Sequence, residues 1–73
     1  MANVSIKTEI TGNVFKIVAT VGDRVEEDQP IMFLESMKME IPISAPEPGV
    51  LIELLVAEGE TVAEGTVVAR IEA

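Results

Sequence analysis

The stretch IMFLESMKMEIPIS, residues 31–44, consists of two apolar segments joined at Met37 and Lys38. Residues 31–36 predict one β-strand, and residues 39–44 predict the next, because apolar side chains recur there with a period of two. The join lacks the Asn-Gly or Gly-Gly pair that two-residue hairpins prefer. Unfavourable turn chemistry tends to persist at functional sites. The sequence therefore predicts a tight hairpin with Lys38 at or beside its tip, and this tip is the first candidate site.

Apolar residues alternate with other residues over most of the remaining chain, and many of them are β-branched. Glycine and proline separate these segments at turn spacing, so we predict seven or eight short strands and no helix. Residues 50–55, VLIELL, carry apolar side chains on both faces, which predicts a strand covered on both sides. Residues 22–29, GDRVEEDQ, predict a turn, a two-residue strand around Val25 and another turn.

The chain also repeats itself. Residues 12–36 align without gaps on residues 49–73 when they are shifted by 37 positions, since 49 − 12 = 37. The identical pairs are Gly12/Gly49, Gly22/Gly59, Val25/Val62, Glu27/Glu64 and Glu35/Glu72. The match predicts a duplicated four-strand unit whose two copies bury their apolar faces as a two-sheet sandwich or flattened barrel. Gly22 and Gly59 would occupy equivalent turns that need a positive φ.

Composition excludes several classes of function. The 73 residues include 13 acidic and 5 basic side chains, a net charge of −8, and no His, Cys, Trp or Tyr. Zinc sites, thiol nucleophiles and Ser-His-Asp triads are therefore excluded, and we expect no metal site and no catalytic residue. The negative charge would repel nucleic-acid phosphates, and we expect both phenylalanines, Phe15 and Phe33, to lie in the core.

Segments that would direct the chain to a membrane are also missing from the sequence. The longest apolar run is four residues, residues 31–34, and the N-terminus has no basic-then-apolar signal pattern. We therefore expect a soluble, cytoplasmic domain that spans residues 1–73 and is a monomer in isolation.

Five side chains at the hairpin could carry chemistry. Lys38 on a rigid tip would present one amine to a partner's active site, although an ordinary solvated lysine is the commoner occurrence. The neighbouring carboxylates of Glu35 and Glu40 would favour the ammonium form of Lys38. Lys38 is therefore suited to accept an attached group in a reaction in which another enzyme removes its proton. Met37 and Met39 could form an apolar collar, with Met39 pointing inward because it is in phase with the buried positions. The two carboxylates are expected to be solvated rather than to act as an acid/base pair.

The motif Glu35-Ser36-Met37-Lys38-Met39 resembles the biotin attachment motif, Glu-(Ala or Ser)-Met-Lys-Met, of biotinyl carrier domains. The downstream residues 45–49, APEPG, and the repeated Gly-Asp-x-Val-like elements at Gly22 and Gly59 are similar to the same family. The resemblance covers essentially the whole chain, and it is closest to small free-standing biotin/lipoyl attachment proteins. It implies an all-β, flattened barrel-sandwich of two four-stranded antiparallel sheets with pseudo-twofold symmetry. The modified lysine would lie on an exposed hairpin at one end, with the termini toward the other.

The resemblance also implies a function. Lys38 is the matching position for covalent biotin, which a biotin protein ligase would transfer from biotinyl-AMP, with Glu35, Ser36, Met37 and Met39 as the recognition motif around it. Tethered biotin would carry CO2 as carboxybiotin from a biotin carboxylase to a carboxyltransferase. The protein itself would be a non-catalytic carrier, and its initial Met favours a free-standing protein over an excised domain.

Two alternatives remain open from the sequence. Lipoyl domains share the hairpin and the lysine but usually have Asp-Lys-Ala at the tip, so Met37-Lys38-Met39 favours biotin. Lipoate, attached by a lipoyl ligase in a 2-oxoacid dehydrogenase-type complex, is retained as an alternative, alone or together with biotin. The third reading is an unmodified β interaction domain in which Lys38 is an ordinary surface residue.

Overall fold

The computed structural model describes residues 2–73, which form eight β-strands. In chain order they are β1 (Asn3–Lys7), β2 (Gly12–Ile17), β3 (Arg24–Val25), β4 (Pro30–Ser36), β5 (Met39–Ser44), β6 (Gly49–Leu54), β7 (Thr61–Val62) and β8 (Val67–Glu72). The eight strands confirm the predicted number of seven or eight, and β3 confirms the two-residue strand predicted around Val25. Within residues 2–73 no helix is long and apolar enough to cross a membrane.

The strands form two four-stranded antiparallel sheets, with the orders β1-β8-β6-β3 and β5-β4-β2-β7. Each sheet takes two strands from the first half of the chain and two from the second half. The halves are therefore interleaved rather than stacked. This arrangement confirms the predicted all-β sandwich of two four-stranded sheets.

A pseudo-twofold relation connects the two halves at the predicted shift of 37 residues. The shift carries β2 onto β6, β3 onto β7 and β4 onto β8, and it carries β1 onto all but the first residue of β5. Hydrogen bonds that extend the pairing of each short strand with its neighbour in the same sheet follow the same shift. The Gly22 amide donates to the Leu51 carbonyl at 2.7 Å, and the Gly59 amide donates to the Val14 carbonyl at 2.7 Å.

The core lies between the two sheets and is aliphatic. Its buried members come largely in pairs that the shift relates: Ile6 and Ile43, Val14 and Leu51, Val25 and Val62, Ile31 and Val68, Met32 and Ala69, and Leu34 and Ile71. Because each half supplies one member of these pairs, neither half encloses a core by itself.

Two expectations about apolar positions are wrong. Phe15 is 50% exposed, and Phe33 is only partly buried, so neither belongs to the buried core. The strand predicted to be covered on both faces, β6, has Val50 and Ile52 each 37% exposed. Phe15, Val50 and Ile52 adjoin the buried residues Val14 and Leu51, so ordinary alternation places them on the outer face. A β-bulge at the same place in both halves, between Val14 and Lys16 and between Leu51 and Glu53, then shifts the alternation by one residue. The next apolar residues that pack against the core are therefore Ile17 and Leu54.

Glycines in this fold serve two different purposes. Gly22 and Gly59 have φ values of 102° and 90°, which confirms the turns that the sequence predicts for them. Gly12 and Gly49, in contrast, begin strands rather than lie in turns. A Cβ at Gly12 would be 2.7 Å from the Glu35 carbonyl oxygen, and one at Gly49 would be 2.6 Å from that of Glu72. These two glycines are therefore required by close packing of neighbouring strands.

Candidate functional site

The hairpin between β4 and β5 has a two-residue turn. Ser36 is paired with Met39, and Glu35 is paired with Glu40, so Met37 and Lys38 are the two central residues of the turn. The structure thus places Lys38 at the tip, where the sequence predicts it.

The backbone at the tip is left-handed. Met37 has a φ of 52° and Lys38 a φ of 66°, and positive values at both central residues are the pattern of a type I′ turn. Side chains with a Cβ rarely adopt this conformation, which costs about 1–2 kcal/mol per residue. The turn matches the twist of the flanking strands, so pairing of β4 with β5 supports the strained conformation.

Both methionines of the turn region are exposed. Met37 is 92% exposed and Met39 is 63% exposed, and Lys38 between them is exposed as well. The expectation that Met39 points inward is wrong. Met39 is the first residue of β5 and closes the hairpin, so it lies beyond the part of the strand that the core covers.

The Lys38 amine is not held by the protein. The two ion pairs among residues 2–73 are Arg24 with Glu26 at 3.3 Å and Arg70 with Glu53 at 2.6 Å, and neither involves Lys38. An amine on a four-carbon stem without a partner can reach into another protein's active site.

A row of polar side chains crosses the sheet just below the tip. The register places Glu40, Glu35, Asn13 and Thr61 side by side on the four neighbouring strands β5, β4, β2 and β7. The Thr61 hydroxyl donates to Asn13 Oδ1 at 2.6 Å, which ties the short strand β7 to the sheet. Sequence reasoning missed Asn13 and Thr61, because only the pairing of distant strands brings them beside the hairpin.

The two carboxylates at the hairpin are open to solvent. Glu35 and Glu40 are both exposed, as expected, and Ser36 is partly buried. Within residues 2–73 no group of three or more Asp or Glu side chains is arranged to hold a metal ion.

The root of the hairpin is firmly packed. Leu34, two residues before Ser36, is fully buried, and Ile43 on β5 is 7% exposed. Gly12 of β2 lies directly against the Glu35 carbonyl, so a third strand braces the hairpin close to its tip. Rigidity therefore extends to within two residues of Lys38.

The molecule is elongated and measures 36 × 18 × 18 Å. The shift of 37 relates the hairpin tip of one sheet to the paired termini of the other, where the Ala73 amide donates to the Ala2 carbonyl at 2.9 Å.

A family model and a protein of similar length both match most of this chain. The family model described as "Biotin-requiring enzyme" matches residues 3–71. A biotin/lipoyl attachment protein of Bacillus subtilis is 41% identical over 63 residues, which cover 86% of each chain.

Parts of larger proteins also match. The dihydrolipoyllysine-residue acetyltransferase component of the acetoin cleaving system of Bacillus subtilis is 47% identical over 51 residues, which are 70% of this chain and 13% of that protein. The crystal structure of the urea carboxylase of Kluyveromyces lactis superposes with a TM-score of 0.93 at 33% identity, over 99% of this chain and 6% of that one. The fold thus occurs both in a protein of similar length and as a small part of multidomain chains.

Proposed function

The chain belongs to the biotin/lipoyl attachment family, and from this membership we propose that it is a biotin carrier whose Lys38 is the attachment residue. The observation that carries the proposal is the exposed Lys38 at the tip of a braced two-residue turn, between the exposed side chains of Met37 and Met39. The relatives supply the chemistry, since one is named a biotin/lipoyl attachment protein and another is a urea carboxylase.

Attachment needs only an amine that a ligase can approach. A biotin protein ligase would present biotin as its acyl adenylate. The Lys38 nitrogen would form an amide bond to the acyl carbon, AMP would leave, and the amine would lose a proton to the ligase. Among residues 2–73 no carboxylate forms an ion pair with the Lys38 amine, so we assign the deprotonation to the ligase.

The residues around Lys38 have different roles in this proposal. Met37 and Met39 form an apolar collar on which a ligase or a carboxylase domain packs, because unbranched thioether side chains adapt to several partners. Glu35 lies two residues before the turn and contributes negative charge at the same surface. Ser36 is small and partly buried, so the turn can close without a bulky side chain against Gly12.

The shape of the domain suits a carrier. Attached biotin supplies a site that carries a carboxyl group between a biotin carboxylase and a carboxyltransferase. The chain itself supplies a rigid root and a flexible lysine stem. Tethering turns each encounter into an intramolecular one with a high effective concentration. Since the tip residues Met37 and Lys38 are exposed, the body of the domain can stay outside a partner's active site while the tip enters it.

The proposal is tested by intact mass after incubation with a purified biotin protein ligase, ATP and biotin. We expect one biotin-sized addition to the wild-type chain and none to Lys38→Arg, because a guanidinium keeps the charge but does not form the amide. Lys7→Arg and Lys16→Arg are matched controls, since both lysines are exposed, and they should be modified like the wild type. Modification that persists in Lys38→Arg would contradict the assignment.

A second candidate is a lipoyl carrier, which the match to the lipoyl acetyltransferase component favours. The same mass assay with a lipoyl ligase separates the two. A lipoyl-sized addition without a biotin-sized one would indicate partners of the 2-oxoacid dehydrogenase type. Both additions would mean that both ligases recognise the hairpin. A chain that neither ligase modifies would leave the third reading, an interaction domain.

A further inference from the structure

The four methionines of the chain differ sharply in their exposure. Met37 and Met39 are 92% and 63% exposed, whereas Met32, on the same strand as the hairpin root, is fully buried. Met1 lies outside the described residues. The sequence contains no Cys, Trp, Tyr or His, so the thioethers are the readily oxidised side chains of this protein. Oxidation by peroxide is therefore directed by the fold to the residues on either side of Lys38.

We propose that Met37 and Met39 are a peroxide-sensitive modification site, and that their oxidation weakens recognition of the hairpin by the enzyme that modifies Lys38. The second part rests on the proposed function. In the reaction, hydrogen peroxide transfers one oxygen to a thioether sulfur. The S–O bond forms, the O–O bond breaks, sulfur is oxidised by two electrons, and the hydroxide that leaves takes up a proton and becomes water.

The chemical consequence follows from the position of the two side chains. A sulfoxide is polar and chiral, so it replaces an adaptable apolar collar with a group that must keep hydrogen bonds when a partner covers it. Both side chains project from the end of the domain and contribute little to the core. Oxidation should therefore change the surface that a partner meets while the barrel stays folded. The modification is reversible, since reductases return methionine sulfoxide to methionine.

The first measurement locates the modification. The unmodified chain is treated with dilute hydrogen peroxide, the reaction is stopped with catalase, and a peptide mass map reads each methionine separately. We expect Met37 and Met39 to gain oxygen more than about tenfold faster than Met32, because oxidation of a buried side chain has to wait for local opening. Equal rates at Met32 and Met37 would overturn the assignment of the site. The melting temperature should be unchanged, and a large decrease would mean structural damage instead.

The second measurement tests recognition. The oxidised chain is offered to a biotin protein ligase with ATP and biotin. In this assay the chain is oxidised before biotin is attached, because biotin contains a thioether that peroxide would also oxidise. We expect kcat/KM to fall about tenfold, which corresponds to about 1.4 kcal/mol of lost transition-state binding. Equal kcat/KM before and after oxidation would overturn this part of the proposal.

Two controls keep the outcomes separate. The double variant Met37→Leu, Met39→Leu keeps apolar side chains of similar volume but lacks both sulfurs, so its own kcat/KM, whatever its value, should be the same before and after peroxide. If that variant is a poor acceptor, treatment of the oxidised wild-type chain with methionine sulfoxide reductases A and B should restore transfer, and failure to restore it would overturn the proposal. If the untreated chain accepts no biotin, the same comparison is made with lipoyl ligase. A chain that accepts neither group refutes the proposed function and the recognition step with it, while the mass map still decides whether the two methionines are the oxidation site.

Discussion

Gly59 illustrates how a single residue controls a turn in this fold. It has a φ of 90°, its amide donates to the Val14 carbonyl on the neighbouring strand β2, and no heavy atom would lie within 4 Å of an added Cβ. The need for glycine there is therefore conformational rather than steric. Its equivalent in the first half, Gly22, has the same surroundings, whereas Gly12 and Gly49 are glycines because a neighbouring carbonyl is too close.

Gly59→Val should lower the free energy of unfolding by about 1–3 kcal/mol, because a β-branched residue is strained at positive φ. Urea denaturation of the variant and the wild type measures the change. Gly59→Asn is the matched control, since asparagine tolerates the left-handed region and should cost less. An unchanged unfolding midpoint for the valine variant would refute the turn assignment.

The turn of the hairpin between β4 and β5 has a backbone conformation that its two central residues do not favour. Met37 and Lys38 occupy left-handed positions that asparagine and glycine prefer, and the pairing on both sides keeps them there. The proposed attachment at Lys38 gives a functional reason for this locally unfavourable pair.

Met37→Asn should raise the free energy of unfolding by about 1 kcal/mol, because asparagine loses less energy in the left-handed region. Met39→Asn is the matched control. Met39 is also exposed, but it lies in β5, where asparagine is unfavourable, so no gain is expected there. Unfolding midpoints in urea with unchanged m-values measure both effects. A stabilisation by Met39→Asn equal to that of Met37→Asn would contradict the argument from the turn.

Alternation together with the bulges decides which apolar residues of β2 and β6 face the core. Phe15→Ala should cost about 1 kcal/mol or less, because half of the side chain is already exposed. Leu34→Ala, at a fully buried position, should cost about 2–5 kcal/mol. Thermal or urea unfolding of the two variants compares them directly. A larger loss in Phe15→Ala would mean that Phe15 packs inside the sandwich in solution.

At the scale of the whole molecule, the two halves of the chain depend on each other. Each sheet combines strands of both halves, so a fragment of residues 1–37 keeps only the pairing of β2 with β4, and a fragment of residues 38–73 keeps only that of β6 with β8. A two-stranded hairpin is at best marginally stable in water. We expect neither fragment to show the cooperative unfolding of the intact chain in circular dichroism. A cooperative transition in either fragment would contradict the interleaved arrangement as the source of stability.

The sequence alone determined the local and repeating features of this protein. Alternation of apolar residues predicted the strands, a shift of 37 residues predicted the duplication, and the join at Met37 and Lys38 predicted the exposed tip. These features depend on neighbouring residues, so a single sequence contains them. Tertiary structure decided the rest. The mixing of strands from both halves in each sheet, the outward position of Phe15, the exposure of Met39 and the close approach at Gly12 all depend on which distant strands pair and in what register. Alternation within a strand does not specify which strand it pairs with, and one inserted residue reverses the faces of a strand. Those features are therefore determined only by the tertiary structure.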